Sequence, residues 1–370
     1  MFKSTYRGRR VLVTGHTGFI GSWLCIWLKG LGADVAGCAL DPPSEPNNFS
    51  ACRISRHIRH HHCDVRDLDQ ILSIFDEFQP EIVFHLAAQA LVLSSYENPK
   101  ATFDTNAGGT VNVLEAVRHT PSVRVVVNLT SDKCYENREW IWGYRENDAL
   151  GGHDPYSASK GCAELISAAY LRSFFSSPTC GGRRIGIATS RAGNAIGGGD
   201  WGLHRLIPDC VRALNAGNPI GIRHPLSIRP WQHVLELLSG LLWLGANLWE
   251  NPEGFRGAWN FGPSAADNGS VREVVDRFIR VWGSGKWEDL SDPGALHEAA
   301  TLRLCCDKAA TRLGWANNLS LLQAIDLTAA WYKHYYDSSG ETDMYEVCAE
   351  QIGHYTEQAK SRNLSWATAS

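Results

Sequence analysis

Across the first half of the chain, short runs of β-branched and apolar residues alternate with longer stretches whose apolar positions recur every three or four residues. The short runs predict strands at 10–14, 34–40, 82–86, 123–129 and 184–191. The longer stretches predict helices near 20–29, 68–78, 101–119 and 156–175. Strand–helix alternation of this kind implies a parallel sheet with helices on both faces. The fold class expected is therefore α/β, a doubly wound, Rossmann-like sheet whose ligand crevice lies at the carboxyl ends of its strands.

After about Arg191 the rhythm changes. GNAIGGGDWG reads as a loop, helices are expected at 206–216, 234–249, 271–282 and 321–335, and a short strand at 258–261. These pieces predict a smaller, mixed α/β domain over the crevice, with segments from about 220–265 returning to the first sheet. The division expected is 1–191 and 192–370. Beyond Ser338 the pattern fits a tail or a partner-facing helix.

A chain of 370 residues can bury a substantial core. Its 35 Lys and Arg against 39 Asp and Glu give a formal net charge of −4, which offers no basic surface to nucleic acid and no cationic helix to a membrane. Apolar runs such as VVVNL are strand-sized, far short of the roughly 20 residues of a membrane span. The basic start MFKSTYRGRRVLVTG enters a strand and a glycine turn instead of a secretory apolar segment, so a cytoplasmic protein is expected. The 11 cysteines are odd in number and contain no Cys-x-x-Cys, which fits reduced thiols.

VLVTGHTGFIGSWL sets Gly15, Gly18 and Gly21 between the first strand and the first helix. Glycines there permit a tight turn, close approach of the backbone to a pyrophosphate, and close helix–strand packing. Thr17, Phe19 and Ile20 share that turn and join the expected dinucleotide site. Asp41 ends the second strand, where it either meets an adenosine ribose or begins the turn into Pro42 and Pro43. Facing the ribose it would repel a 2′-phosphate, which favours NAD over NADP. Asp64, after a third strand in HHCDVRD, is placed to meet the adenine edge. The preceding histidines (His57, His60, His61, His62) lack a further ligand at completing spacing. They read as a solvated loop, and no metal is expected.

Residues 130–165, TSDKCYENREWIWGYRENDALGGHDPYSASKGCAEL, hold two acid–base pairs. Tyr156 and Lys160 are four apart and share one helix face. A phenol must lose about three pKa units to act as a base near neutrality, roughly 4 kcal/mol. A lysine ammonium about 4 Å away supplies about that much at an effective dielectric near 20. The second pair, Asp132 and Lys133, points to a second proton-handling task on the same substrate.

The glycine turn with Tyr-x-x-x-Lys resembles the extended short-chain dehydrogenase/reductase superfamily. Within it, the 130–165 stretch, RAGNAIGGGDW and RPWQHVLE are similar to the CDP-glucose 4,6-dehydratase family, from Arg10 to about Tyr335. The SDK triplet is the most specific piece, since the related dTDP-glucose dehydratases carry an acid at the lysine position. The resemblance implies bound NAD and CDP-glucose as substrate. It implies oxidation at C4, loss of water across C5 and C6, and return of hydride to C6. Tyr156, Lys160 and Ser131 would serve the redox steps. Asp132 and Lys133 would serve the elimination, with acid and base left open between them.

The same resemblance implies Val65, Ala87, Ala88, Gln89, Asn106 and Thr130 as cofactor positions, beside Tyr156 and Lys160. It implies Gln89, Ser131, Asn194, Trp201, Arg205, Arg229 and His297 as substrate positions, a structural role being equally open for Trp201 and Arg229. Ala90 and Leu93, in AAQALVLSSYENP, stand where the family carries a proline and an arginine, which weakens the expected hold on the diphosphate. A homodimer through the helices at 101–119 and 156–175 is expected. Two other readings compete. A nucleotide-sugar epimerase needs only the redox pair, and a non-catalytic NAD-binding module would have no use for the full set.

Overall fold

The computed structural model describes residues 1–176, 184–264, 269–291, 302–338 and 342–369. Seven strands form one sheet: β1 (Arg10–Thr14), β2 (Asp34–Ala39), β3 (Arg59–His62), β4 (Ile82–His85), β5 (Val125–Leu129), β6 (Gly186–Ala192) and β7 (Gly257–Phe261). Their order is β7-β6-β5-β4-β1-β2-β3 and every pairing is parallel. This is the doubly wound order, with its switch point between β1 and β4.

The main helices are α1 (Phe19–Gly30), α2 (Leu68–Phe78), α3 (Gly109–His119), α4 (Pro155–Tyr170), α5 (Leu206–Asn215), α6 (Val234–Glu250), α7 (Val271–Trp282), α8 (Leu321–Asp337) and α9 (Met344–Ser361). Alternate strand residues feed the two faces of the sheet. Val11, Val13, Phe84 and Val127 pack with Trp23, Trp27, Leu238 and Leu242 of α1 and α6. Leu12, Val83, Val126 and Ile187 pack with Ile71, Phe75, Val113 and Val117 of α2 and α3. With helices on both faces, the central strands read as continuous apolar runs.

Three features depart from the sequence reading. The histidines at 60–62 lie in β3, an edge strand paired with β2, and not in a solvated loop. His60 Nδ1 sits 2.7 Å from His16 Nε2. GNAIGGGDWG contains a two-residue strand, Ala195–Ile196, paired in parallel with Gln232–His233. Beyond Ser338 the chain is not a tail: α9 packs on the chain's own first helix. Tyr355 meets Trp27 edge-on, Trp366 stacks on Phe2, and the Tyr355 hydroxyl donates to Glu236 of α6 at 3.0 Å. Among the described residues no helix is long and apolar enough to cross a membrane.

Candidate active site

The crevice opens where β1, β4 and β5 end. After β1 the chain turns at Gly15, whose φ of +75° is left-handed. A Cβ on Gly15 would stand 2.7 Å from the Ala87 nitrogen, and one on Gly21 would stand 2.2 Å from the Gly15 carbonyl oxygen. Gly18 precedes α1 without any side-chain cap. The first-turn N–H groups of Phe19 and Ile20 therefore lack an acceptor of the kind a pyrophosphate supplies. Thr17 Oγ1 donates to the Leu40 carbonyl at 2.9 Å, fixing the turn to the end of β2. These residues fit a dinucleotide.

Asp41 is 89 % exposed at that end, with His62 at 3.7 Å. Asp64 is engaged: it accepts from the Arg66 side chain at 2.9 and 3.0 Å, which holds its carboxyl below the usual range. Val65 is buried beneath Gly109, where a Cβ would come 2.8 Å from Val65 Cγ2. Among the described residues no group of three or more His, Cys, Asp or Glu is arranged to hold a metal ion.

The loop after β4 carries Ala87, Ala88 and Gln89. The Gln89 N–H donates to Asn106 Oδ1 at 2.8 Å, and Asn106 Nδ2 donates to the Gln89 carbonyl at 3.0 Å and to Ser159 Oγ at 2.8 Å. Asn106 sits in a π-helical turn, Asp104–Gly108, a local widening often found at functional positions. Gln89 Nε2 donates to the Leu91 carbonyl and to Thr102 Oγ1. Asn106 thus fastens the loop to α4, while the Gln89 amide is engaged within the loop and with Thr102.

β5 ends at Leu129, and Ser131 starts a single 3-10 turn, Asp132–Cys134. Ser131 Oγ accepts from the Lys133 N–H at 3.2 Å and donates to Asp132 Oδ1 at 3.0 Å. Burial raises the Asp132 carboxyl above its ordinary value, and the neighbouring Lys133 charge opposes that shift. Opposite this turn, Asp154 caps α4 by accepting from the Ser157 N–H at 2.9 Å, with Pro155 at the first helical position. The helix therefore starts one residue before Tyr156 and presents Tyr156 and Lys160 on one face. The Tyr156 phenol is pushed up to about 12, chiefly by burial, a rise that the neighbouring Ser131 opposes. Lys160 Nζ donates to the Leu129 carbonyl at 3.3 Å and is pushed down to about 8 by burial. The ionised phenol expected from the pair's spacing is thus not the state of the protein alone. Burial dominates the phenol, and the Lys160 ammonium is turned to a carbonyl.

The C-terminal half closes over this turn. A Cβ on Gly193 would come 3.2 Å from Asp132 Oδ2 and 3.0 Å from Pro230 Cγ, so RAGN and RPW both lie close to the Asp132 turn. The Asn194 carbonyl accepts from the Gln232 N–H at 3.0 Å. Arg205 is held by Asp200 at 2.9 Å and its charge is felt by the Tyr156 phenol. Arg229 lies in the short strand Ile228–Arg229, paired with Gly269–Ser270. Trp201 is only 4 % exposed and packs edge-on against Trp331, Tyr332 and Tyr335, which leaves no ring face for a sugar. His297 lies outside the described residues.

Sequence reasoning missed the polar layer behind the turn. Thr130, expected at the cofactor, directs its hydroxyl instead to Glu164 at 2.5 Å, and Glu164 pairs with Arg191 at 2.7 Å. The available signal was the continuation of the Tyr156–Lys160 face by four residues to a carboxylate.

The model of the NAD dependent epimerase/dehydratase family matches residues 11–262. A CDP-glucose 4,6-dehydratase of Salmonella typhimurium is 47 % identical over 331 residues, covering 90 % of this chain and 92 % of that protein. In fold the chain is similar to the epimerase Mth375 of Methanothermobacter thermautotrophicus, with TM-score 0.75, 21 % identity and coverage of 91 % and 96 %. It is also similar in fold to a dTDP-glucose 4,6-dehydratase of Bacillus anthracis solved in complex with NAD, with TM-score 0.73, 20 % identity and coverage of 89 % and 98 %.

Proposed function

The chain belongs to the NAD dependent epimerase/dehydratase family, and from that premise we propose that its cleft dehydrates CDP-glucose to CDP-4-keto-6-deoxyglucose and water. One observation carries the reading: Ser131 hydrogen-bonds to the Asp132 carboxyl and also acts on the Tyr156 phenol, opposing the rise that burial causes, so it stands between the redox pair and the elimination pair. An epimerase has no task for Asp132 and Lys133.

The glycine turn with Thr17, Phe19 and Ile20, Asp41, and the Ala87–Gln89 loop would hold NAD, with Tyr156 and Lys160 at its reactive end. NAD held there would supply the hydride acceptor for C4 and the hydride donor for C6. Tyr156 takes the proton of the C4 hydroxyl, with Lys160 supplying positive charge beside it. Oxidation at C4 makes the C5 proton acidic, so elimination follows. Asp132, whose carboxyl burial favours in the neutral form, protonates the departing C6 hydroxyl, while Lys133 takes the C5 proton and later gives it back. Asp132 must then regain a proton, and Tyr156 holds the one taken from C4. Ser131 is the bridge between them, so the protons balance over a turnover.

In this reading residues 1–191 hold the cofactor, and Asn194, Arg205, Arg229 and the remainder of 192–370 hold the nucleotide. The enzyme works in the cytoplasm and supplies deoxysugar synthesis. It pairs as a homodimer through the outer faces of the helices at 101–119 and 156–175, where Phe103 and Leu165 are exposed. Incubation with CDP-, dTDP-, UDP- and GDP-glucose tests the reading. A 4-keto-6-deoxy product from CDP-glucose supports it, and an epimer or unchanged sugar overturns it.

A further inference from the structure

Thr130 and Tyr135 flank the catalytic turn, and each ends on one partner of a single buried ion pair. Thr130 Oγ1 donates to Glu164 Oε1 at 2.5 Å, and Arg191 Nη1 donates to the Tyr135 hydroxyl at 2.8 Å. Between them Arg191 Nη2 meets Glu164 Oε2 at 2.7 Å, with both side chains at most 4 % exposed. Glu164 lies four residues after Lys160 and eight after Tyr156, on the same face of α4. Thr189 Oγ1 fills the remaining site on Glu164 Oε2 at 2.8 Å. Tyr135 donates onward to Asn260 at the end of β7, at 2.7 Å. A buried carboxylate with both oxygens bonded has no alternative partner at hand, so this link is stiff.

We propose that the chain Thr130–Glu164–Arg191–Tyr135 is a positioning device that ties both ends of the Ser131–Asp132–Lys133 turn to the helix bearing Tyr156 and Lys160. It keeps the elimination pair and the redox pair in register on one sugar ring. The inference rests on the dehydratase reading, since only a two-stage reaction needs the two pairs held together. Loosening the turn leaves α4, with Tyr156 and Lys160, in place, while Asp132 and Lys133 lose their geometry, so the second stage suffers more than C4 oxidation.

Thr130→Val keeps the branched shape and the ion pair and removes the hydroxyl's bonds. Its kcat for CDP-glucose should fall about tenfold with KM within about twofold, because small misplacements of reacting groups cost rate more than binding. C4-oxidised, undehydrated sugar should accumulate on the enzyme, and Thr130→Ser should restore turnover. Tyr135→Phe should give the same signature from the other end. Wild-type turnover by Thr130→Val, or a loss that tracks its melting temperature without the oxidised intermediate, would overturn the proposal. If the wild-type protein makes no 4-keto-6-deoxy sugar, the dehydratase reading fails instead.

Discussion

Lys160→Met should make the protein more stable and nearly inactive, and both effects follow from where Lys160 sits. Burial pushes its folded pKa down from 10.5 to about 8, so the native state resists the ammonium that the unfolded chain carries freely. That difference of about 2.5 units costs roughly 3 kcal/mol below pH 8. The native state binds fewer protons than the unfolded one between pH 8 and 10.5, so this cost declines as pH rises through that window. Losing the bond to the Leu129 carbonyl takes back about 1 kcal/mol, for a net gain of about 2 kcal/mol near neutrality. Catalysis moves the other way. With the phenol at about 12, ionising it near pH 7.5 requires roughly 6 kcal/mol. An ammonium brought to about 4 Å from the phenol in the loaded site would supply about 4 kcal/mol of this, a factor near a thousand in rate. The assay is single-turnover reduction of bound nicotinamide on mixing with CDP-glucose, alongside melting curves from pH 7 to 10.5. A variant less stable than wild type at neutral pH, or slowed less than about tenfold, would refute the reasoning.

Two further perturbations probe parts remote from Lys160. Gly15→Ala places a Cβ 2.7 Å from the Ala87 nitrogen at a left-handed φ, so the purified protein should lose most of its bound NAD at a cost of about 1–3 kcal/mol in stability, read by cofactor content and melting temperature. Glu236, buried under α9 and pushed up to about 7 by burial, keeps its proton in the native state between about 4.5 and 7. Stability of the wild type relative to Glu236→Gln should therefore fall by about 3 kcal/mol as pH rises across that window, and a flat difference would contradict the burial argument.

The sheet and the acid–base set were legible because both are local. β1, α2 and α7 have the expected limits, since their apolar spacing and caps lie within the elements themselves. β3 is expected only as a strand without limits in HHCDVRD, with its histidines in a loop, because an edge strand with exposed side chains shows no apolar alternation. Helix α9 did carry its signal, with Met344, Cys348, Ile352, Tyr355 and Ala359 buried at three- and four-residue spacing after an Asp343 cap. Trp201 could not be judged from type alone, because what encloses it comes from residues 331–336, far along the chain. The Glu164–Arg191 link was unreadable for a similar reason: its partners sit on different elements, and only the fold turns two charges into one buried pair. Conversely, spacing placed Tyr156 and Lys160 together but gave no measure of the burial that keeps the phenol protonated.

The convergence of two proton-handling pairs on one hexose is tested most directly by mixing Lys133→Met with CDP-glucose and following the nicotinamide and the sugar together. The reading above requires reduced nicotinamide to form and persist on the enzyme, with the sugar oxidised at C4 and its C6 hydroxyl retained. Normal release of the 4-keto-6-deoxy sugar by this variant would contradict it.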